Sequence, residues 1–152
     1  MSIILGDTKL IERLAHEPDL AKTNLRTIFT CFDQGDESLL NWVTEALENC
    51  GAPMDEDVEW VSDELNSKNS DVAYWASTLL GRAGKAASAS LKRLASLVAS
   101  DQSDANVRAR AAWAIGRIGI ETPESKASLE LAAHSDSPRL VGIAQESLAL
   151  LR

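Results

Sequence analysis

Residues 107–119 read Val107-Arg108-Ala109-Arg110-Ala111-Ala112-Trp113-Ala114-Ile115-Gly116-Arg117-Ile118-Gly119. Val107, Ala111 and Ile115 recur at helical spacing, and the closing glycine is a helix-stop signal. Thirty-five residues earlier the same register holds Val72, Ala76 and Leu80 before Gly84, and 33 residues before those stand Leu39, Val43 and Leu47, ahead of Gly51. A weaker copy, Leu140, Ala144 and Leu148, follows 33 residues after the quoted stretch. A period of about 33 residues holds two short helices and their turns but no independently stable domain, so the copies must stack and bury one another.

Worked outward, the spacing predicts about nine helices. One over 7–18, capped by Asp7 and stopped at Pro18, closes the stack. Four helix pairs follow in repeats of approximately 20–51, 53–84, 86–119 and 122–152. Leu25, Ile28, Phe29 and Phe32 share one face of a helix over about 20–32, and Asp36 caps the helix of Leu39. Val58, Val61 and Leu65 stripe the next helix, and Leu91, Leu94, Leu97 and Val98 a helix over 86–99. Leu129, Leu131 and Ala132 precede the turn Ser135-Asp136-Ser137-Pro138, with Pro138 suited to a first helical position. Gly51, Gly84 and Gly119 supply left-handed turns. With no linker and no low-complexity segment, residues 1–152 read as one all-α domain.

Composition supports this reading. Hydrophobic residues are 45% and aromatics only 5%, and alanines such as Ala73, Ala76, Ala109, Ala111, Ala112 and Ala114 let helices approach closely. The net charge of −8 is uneven, since residues 1–70 hold 15 Asp/Glu against 5 Lys/Arg and residues 71–152 hold 8 against 10. Such a balance repels a phosphate backbone over the first half and gives no broad basic stripe in the second, so nucleic acid is not the expected partner. Met1 to Gly6 lacks the features of a secretory signal, and no apolar run reaches the roughly 20 residues of a membrane span. The chain therefore reads as soluble and cytoplasmic, without a membrane partner. Cys31 and Cys50 lack a CxxC spacing and read as buried free thiols, with a redox or disulfide role as the alternative.

The quoted stretch, preceded by the turn Asp101 to Asp104, resembles the second helix of a HEAT-like repeat of the type seen in phycobilisome lyases. Asp71-Val72-Ala73-Tyr74-Trp75-Ala76-Ser77-Thr78-Leu79-Leu80-Gly81-Arg82-Ala83-Gly84 resembles the copy before it. The resemblance covers about residues 22–152 and implies a right-handed α-α superhelix, a short solenoid. It also implies that the helices at about 36–49, 70–81, 104–118 and 137–151 line a concave face. The family's arginine after the valine is present as Arg108 but is replaced by Leu40, Ala73 and Val141 in the other copies, which argues against a continuous Asp-Arg ladder.

Trp42 and Trp75 share a repeat position with Arg110 and Ile143. The indoles either fill space that alanine leaves or anchor a partner, because Trp and Arg dominate interface hot spots. Trp113 corresponds to Thr78, Glu45 and Glu146, which read as surface choices, so a partner contact or a cap on the stack is the natural reason for it. Tyr74, Trp75, Asn106, Arg110, Trp113 and Arg117 form the best candidate patch, with Trp42 and Glu45 as further members. Asp55-Glu56-Asp57, with Glu59, Asp63 and Glu64, fits helix capping and solubility, or docking of a basic partner. Arg82 and Arg117 sit near helix C-termini, where cations are favourable.

Catalytic chemistry finds no constellation. His16 and His134 are the two histidines, too few for a metal centre that needs several converging ligands. No Ser-His-Asp or Cys-His arrangement and no phosphate loop stands out. The expectation is a non-catalytic module without cofactor that binds a protein or peptide, a basic segment being selected by the acidic side of residues 45–64. A structural or assembly module, including self-association, is the alternative. A phycobilin-lyase-like enzyme and a DNA-binding HEAT-like protein stand behind both.

Overall fold

The computed structural model describes residues 8–34 and 36–152; Asp7, expected as a cap, lies outside them. The chain divides into two compact units, Met1–Met54 and Asp55–Arg152. Ten α-helices form among the described residues, and none of those residues is in a strand.

In the first unit, α1 (Thr8–His16) buries Ile11, Leu14 and Ala15 and packs against α4 (Glu37–Asn49). The helix expected over 20–32 is broken into α2 (Pro18–Lys22) and α3 (Leu25–Thr30), which raises the helix count from nine to ten. Its cause is local. The Asn24 amide and the Thr23 hydroxyl both donate to the Leu20 carbonyl, at 2.7 and 3.0 Å, so side chains compete with the helical ladder there. The expected apolar face survives the break, because Leu25, Ile28, Phe29 and Phe32 are all buried, the two rings edge to face at 5.7 Å. Asp36 caps α4 by accepting from the Leu39 amide at 3.1 Å, and Leu39, Val43, Ala46 and Leu47 form its buried stripe. Cys31 and Cys50 are buried free thiols.

The second unit has two layers. Helices α6 (Ser70–Ala83), α8 (Ala105–Ile118) and α10 (Pro138–Leu150) neighbour one another in order. Behind them lie α7 (Leu91–Ala99) and α9 (Pro123–Ala132), which pack on each other, α7 also on α8 and α9 on α10. The short α5 (Val58–Asp63) lies against α6 between 3-10 turns at Asp55–Asp57 and Glu64–Asn66. Asn69, Asp104 and Ser137 cap α6, α8 and α10 with their side chains, each satisfying a first-turn amide. The expected helix over 86–99 starts only at Leu91, because Gly84–Ser90 is a 3-10 segment.

Val72, Ala76, Leu80, Val107, Ala111, Ile115, Leu140 and Ala144 are buried as their period requires. Leu148, expected among them, is half-buried. Leu131, grouped in the sequence with Leu129 and Ala132, is 58% exposed, because those two neighbours fill the inward face of α9. Glycine lets the front helices nearly touch: a Cβ at Gly81 would fall 2.5 Å from Cζ3 of Trp113 and 3.1 Å from Cα of Ala114. Gly116 meets Ser147 of α10 in the same way, and Ser147 Oγ donates to the Ala112 carbonyl at 2.8 Å. Gly51, Gly84 and Gly119 all have positive φ, although only Gly119 of the two caps in this unit is left-handed helical, Gly84 having ψ −135°.

Candidate functional site

Three short stripes run along α6, α8 and α10, in repeat register except that Tyr74 stands one residue before the place equivalent to Arg110 and Ile143. Asp71, Tyr74, Thr78 and Arg82 lie along α6, Asn106, Arg110, Trp113 and Arg117 along α8, and Arg139, Ile143, Glu146 and Leu150 along α10. Spacings of three and four residues place each set on one side of its helix.

Arg110 is the centre of the arrangement. Its Nη2 donates to the Tyr74 hydroxyl at 2.6 Å, while its guanidinium carbon lies 4.8 Å from the ring centroids of both Tyr74 and Trp113. A cation held between two aromatic faces gains from each ring quadrupole. All three side chains remain half-exposed, so the cluster is ordered by its own contacts yet open to solvent. Asn106 joins from the start of α8, its Oδ1 accepting from Arg139 Nη1 at 2.8 Å.

Trp75 sits one residue further round α6 and is 6% exposed. Its ring meets Tyr74 edge to face at 5.4 Å and lies 5.9 Å from the Arg82 guanidinium carbon. It supports the cluster from below, and Tyr74 takes the accessible place. Trp113 owes its position to Gly81, whose missing side chain leaves the gap that the indole covers. Thr78, read as a surface choice, is buried at 3% and turns its hydroxyl back to the Tyr74 carbonyl at 2.9 Å. Arg117 is exposed two turns beyond Arg110. Trp42 and Glu45 belong to α4 of the first unit, Trp42 half-buried with its ring edge-on to His16 at 5.5 Å and Glu45 exposed.

Charge is sorted within the second unit. The front layer carries Arg82, Arg110, Arg117 and Arg139 against Asp71 and Glu146 on the same stripes, and the carboxylates of residues 55–64 belong to α5 and its flanking turns. Asp57, expected to cap α5, makes no side-chain cap bond; its carboxylate accepts from the Trp60 indole at 2.7 Å instead. Asp63 pairs with Arg93 at 2.7 Å, and Ser90 donates to Ser62 at 2.9 Å beneath that pair.

Two contacts escaped the sequence reading. Arg108 Nε donates to the Val98 carbonyl at 3.1 Å, so it satisfies the end of α7 rather than a neighbouring aspartate; the isolated Val-Arg copy was its only signal. The Gly81–Trp113 fit was signalled by a glycine inside a helix, a position that usually has a packing reason. As for reactive groups, burial raises the Cys31 thiol above its ordinary range, partly opposed by a hydrogen bond with Thr30. A protonated thiol is a poor nucleophile. His134 Nδ1 lies 2.9 Å from the Glu130 carbonyl oxygen. Among the described residues no three His, Cys, Asp or Glu side chains gather as a metal would require, and no helix is long and apolar enough to cross a membrane.

Comparison with known proteins bears on the architecture. An engineered protein from a structural genomics consortium superposes with a TM-score of 0.63 at 18% identity, over 94% of this chain and 72% of that one. A designed armadillo repeat protein in complex with the peptide (KR)4 gives 0.59 at 16% identity, over 97% and 70%. A second designed armadillo repeat protein gives 0.59 at 15%, over 95% and 74%. These likenesses place the fold in the right-handed α-α superhelical class shared by HEAT and armadillo repeats. The search of curated proteins found no match. The model of the HEAT repeats family matches residues 58–149, a span that includes every front-layer stripe residue except Leu150, and the chain therefore belongs to the HEAT repeat family.

Proposed function

We propose that the protein is a non-catalytic binding module that holds a protein or peptide segment on the front layer of α6, α8 and α10. The observation that carries this reading is the Tyr74–Arg110–Trp113 cluster: a guanidinium fixed between two half-exposed rings. Aromatic and arginine side chains already ordered in the free protein lose little conformational freedom on binding, and these residue types supply most interface hot spots. Asn106 and Arg117 extend the contact along α8, and Trp75 acts by supporting Tyr74. Trp42, half-buried, and Glu45, exposed, are proposed as contacts of the first unit taken by itself. A basic segment is met by the carboxylates of residues 55–64, of which Asp63 is shared with Arg93. The designed armadillo repeat protein bound to (KR)4 supports peptide binding as a use of this architecture. A cytoplasmic setting fits the two buried free thiols.

Exposed Leu131 and Leu150, at 58% and 51%, favour a second reading as an assembly module. Photo-crosslinking from a benzophenone amino acid placed at Glu146, followed by comparison of Arg110→Ala and Trp113→Ala, separates the two. A heterologous partner captured by the original and weakened at least about tenfold by each alanine variant, as hot-spot truncation does, supports the binding module. Crosslinks only between copies of the chain support assembly, and equal capture by both variants removes the patch from consideration.

A further inference from the structure

The aromatic cluster gathers hydrogen-bond donors and supplies almost no acceptor for them. A guanidinium carries five N–H donors and no acceptor. One of the Arg110 donors goes to the Tyr74 hydroxyl at 2.6 Å, and the others meet no acceptor among the described residues. The Tyr74 oxygen, having accepted that bond, keeps its own proton to donate. Because the Tyr74 and Trp113 rings each lie 4.8 Å from the guanidinium carbon, they cover its faces, and a ligand reaches it only at the edge, where the N–H groups point. One turn nearer the start of α8, a second group of donors stands in the same line. Asn106 Oδ1 accepts from Arg139 Nη1 at 2.8 Å, and both of these side chains are exposed.

Spacing decides what the two groups can hold together. Asn106 and Arg110 are four residues apart, about 6 Å along the helix axis, and residues i and i+2 of an extended chain, which share one side, are about 6.6 Å apart. We propose that the front layer takes an extended acidic peptide segment whose two carboxylates, separated by one residue, bind one turn apart along α8. One carboxylate sits on the Arg110 edge and the Tyr74 hydroxyl, and the other on Arg139 and the Asn106 amide. The inference rests on the binding reading given above and names its ligand. Arginine suits the task because its weakly hydrated planar edge matches a carboxylate bidentately, and the ring contacts fix that edge before the ligand arrives. Asp71 on α6 and Glu146 on α10 flank the line and make no ion pair among the described residues. A nucleic-acid strand, with a charge every 3.4 Å or so, would set phosphates near them, whereas a peptide places its carboxylates only where the cations stand.

The test is fluorescence anisotropy at low salt with a labelled, C-terminally amidated peptide whose centre reads glutamate, alanine, glutamate between glycine and serine flanks. Saturable binding with a Kd of roughly 100 μM is expected, an affinity in the range of weak peptide contacts. Glutamine at both acidic places weakens it at least fivefold, and setting the two glutamates side by side at least threefold, because one then faces away. Arg110→Lys, which keeps the charge and loses the planar edge, weakens it at least fivefold, and Tyr74→Phe, which keeps the ring and loses the hydroxyl, about threefold. Lys92→Gln on α7 leaves it within twofold, and circular dichroism checks that each variant is folded. Absence of saturable binding up to about 1 mM, equal binding of the glutamine peptide, equal binding by Arg110→Lys, or displacement by an oligothymidylate at equal concentration overturns the proposal. A peptide with lysines in place of the glutamates that binds more tightly, and is lost with Trp113→Ala, also overturns the acidic ligand while leaving the front layer as a binding surface. Failure of that wider reading is seen instead in equal photo-crosslinking by Arg110→Ala and Trp113→Ala.

Discussion

Gly81→Ala is the sharpest probe of how α6 and α8 meet. In an isolated helix the change stabilises by about 1 kcal/mol, because alanine is the better helix former. Here the new Cβ would lie 2.5 Å from Trp113 Cζ3 and 3.1 Å from Ala114 Cα, against an ordinary carbon contact of about 3.5–4.0 Å. The indole is half-exposed and can swing outward; the Ala114 backbone belongs to a buried helix and yields less. Overpacking of this kind costs about 1–3 kcal/mol, so the two effects leave a net destabilisation near 1 kcal/mol. Urea denaturation followed by far-ultraviolet circular dichroism reads this as a lower midpoint with an unchanged slope. A double-mutant cycle isolates the contact: with Trp113→Ala in place, most of the obstruction is gone and Gly81→Ala turns neutral or stabilising, a coupling of about 1 kcal/mol or more. If Gly81→Ala stabilises the unaltered protein by the full helix-propensity amount, the close approach is wrong, and with it the reason Trp113 stands beside Arg110.

Two further outcomes follow from burial. Leu129→Ala opens a fully buried site on α9 and costs about 2–5 kcal/mol in the same urea assay, while Leu131→Ala, two residues on and mostly exposed, changes stability by less than about 0.5 kcal/mol; equal losses would mean that α9 is rotated. Cys31 is held protonated by burial, so the unfolded chain releases its proton first as pH rises. Stability from this group is therefore fully present below the ordinary thiol value of 9.0 and is lost above it, and thiol labelling of the native protein at pH 8 lags behind that of the denatured chain; labelling at the same rate in both would contradict the burial.

Periodicity made the inward faces readable because the same three positions recur in every copy, and Ala76 and Ala111 are buried where that recurrence puts them. Features set by single side chains were not readable from it. The break at Thr23 and Asn24 depends on two polar groups reaching one carbonyl, a competition that hydrophobic spacing does not register. Thr78 reads as polar, yet its hydroxyl is satisfied within its own helix, which removes the cost of burying it. At the candidate site, Tyr74, Arg110 and Trp113 do converge. Trp75 is equivalent to Arg110 in the repeat alignment, yet it is 6% exposed, and Tyr74, one residue and about 100° before it on the helix, takes the place beside Arg110.

The variation between copies also bears on binding. Residues that stack are interchangeable because each copy presents the same small-residue surface to the next, as Gly81 does to Ala114 and Gly116 to Ser147. The front stripes vary more from copy to copy, and the equivalent places hold Thr78, Trp113 and Glu146 in successive helices. On the proposed reading a partner meets an indole on α8 and a carboxylate on α10 at this place, Thr78 of α6 being buried, and such a difference between repeats would fix its register as well as its affinity. Since the front layer is rich in arginine and the α5 segment in carboxylates, a uniformly basic peptide satisfies only the second of these surfaces. If the proposed binding holds, a partner that engages both must change the sign of its charge along its length, and raised salt, by screening its exposed charges, weakens it at both ends while leaving the Tyr74–Arg110–Trp113 contact as the residual anchor.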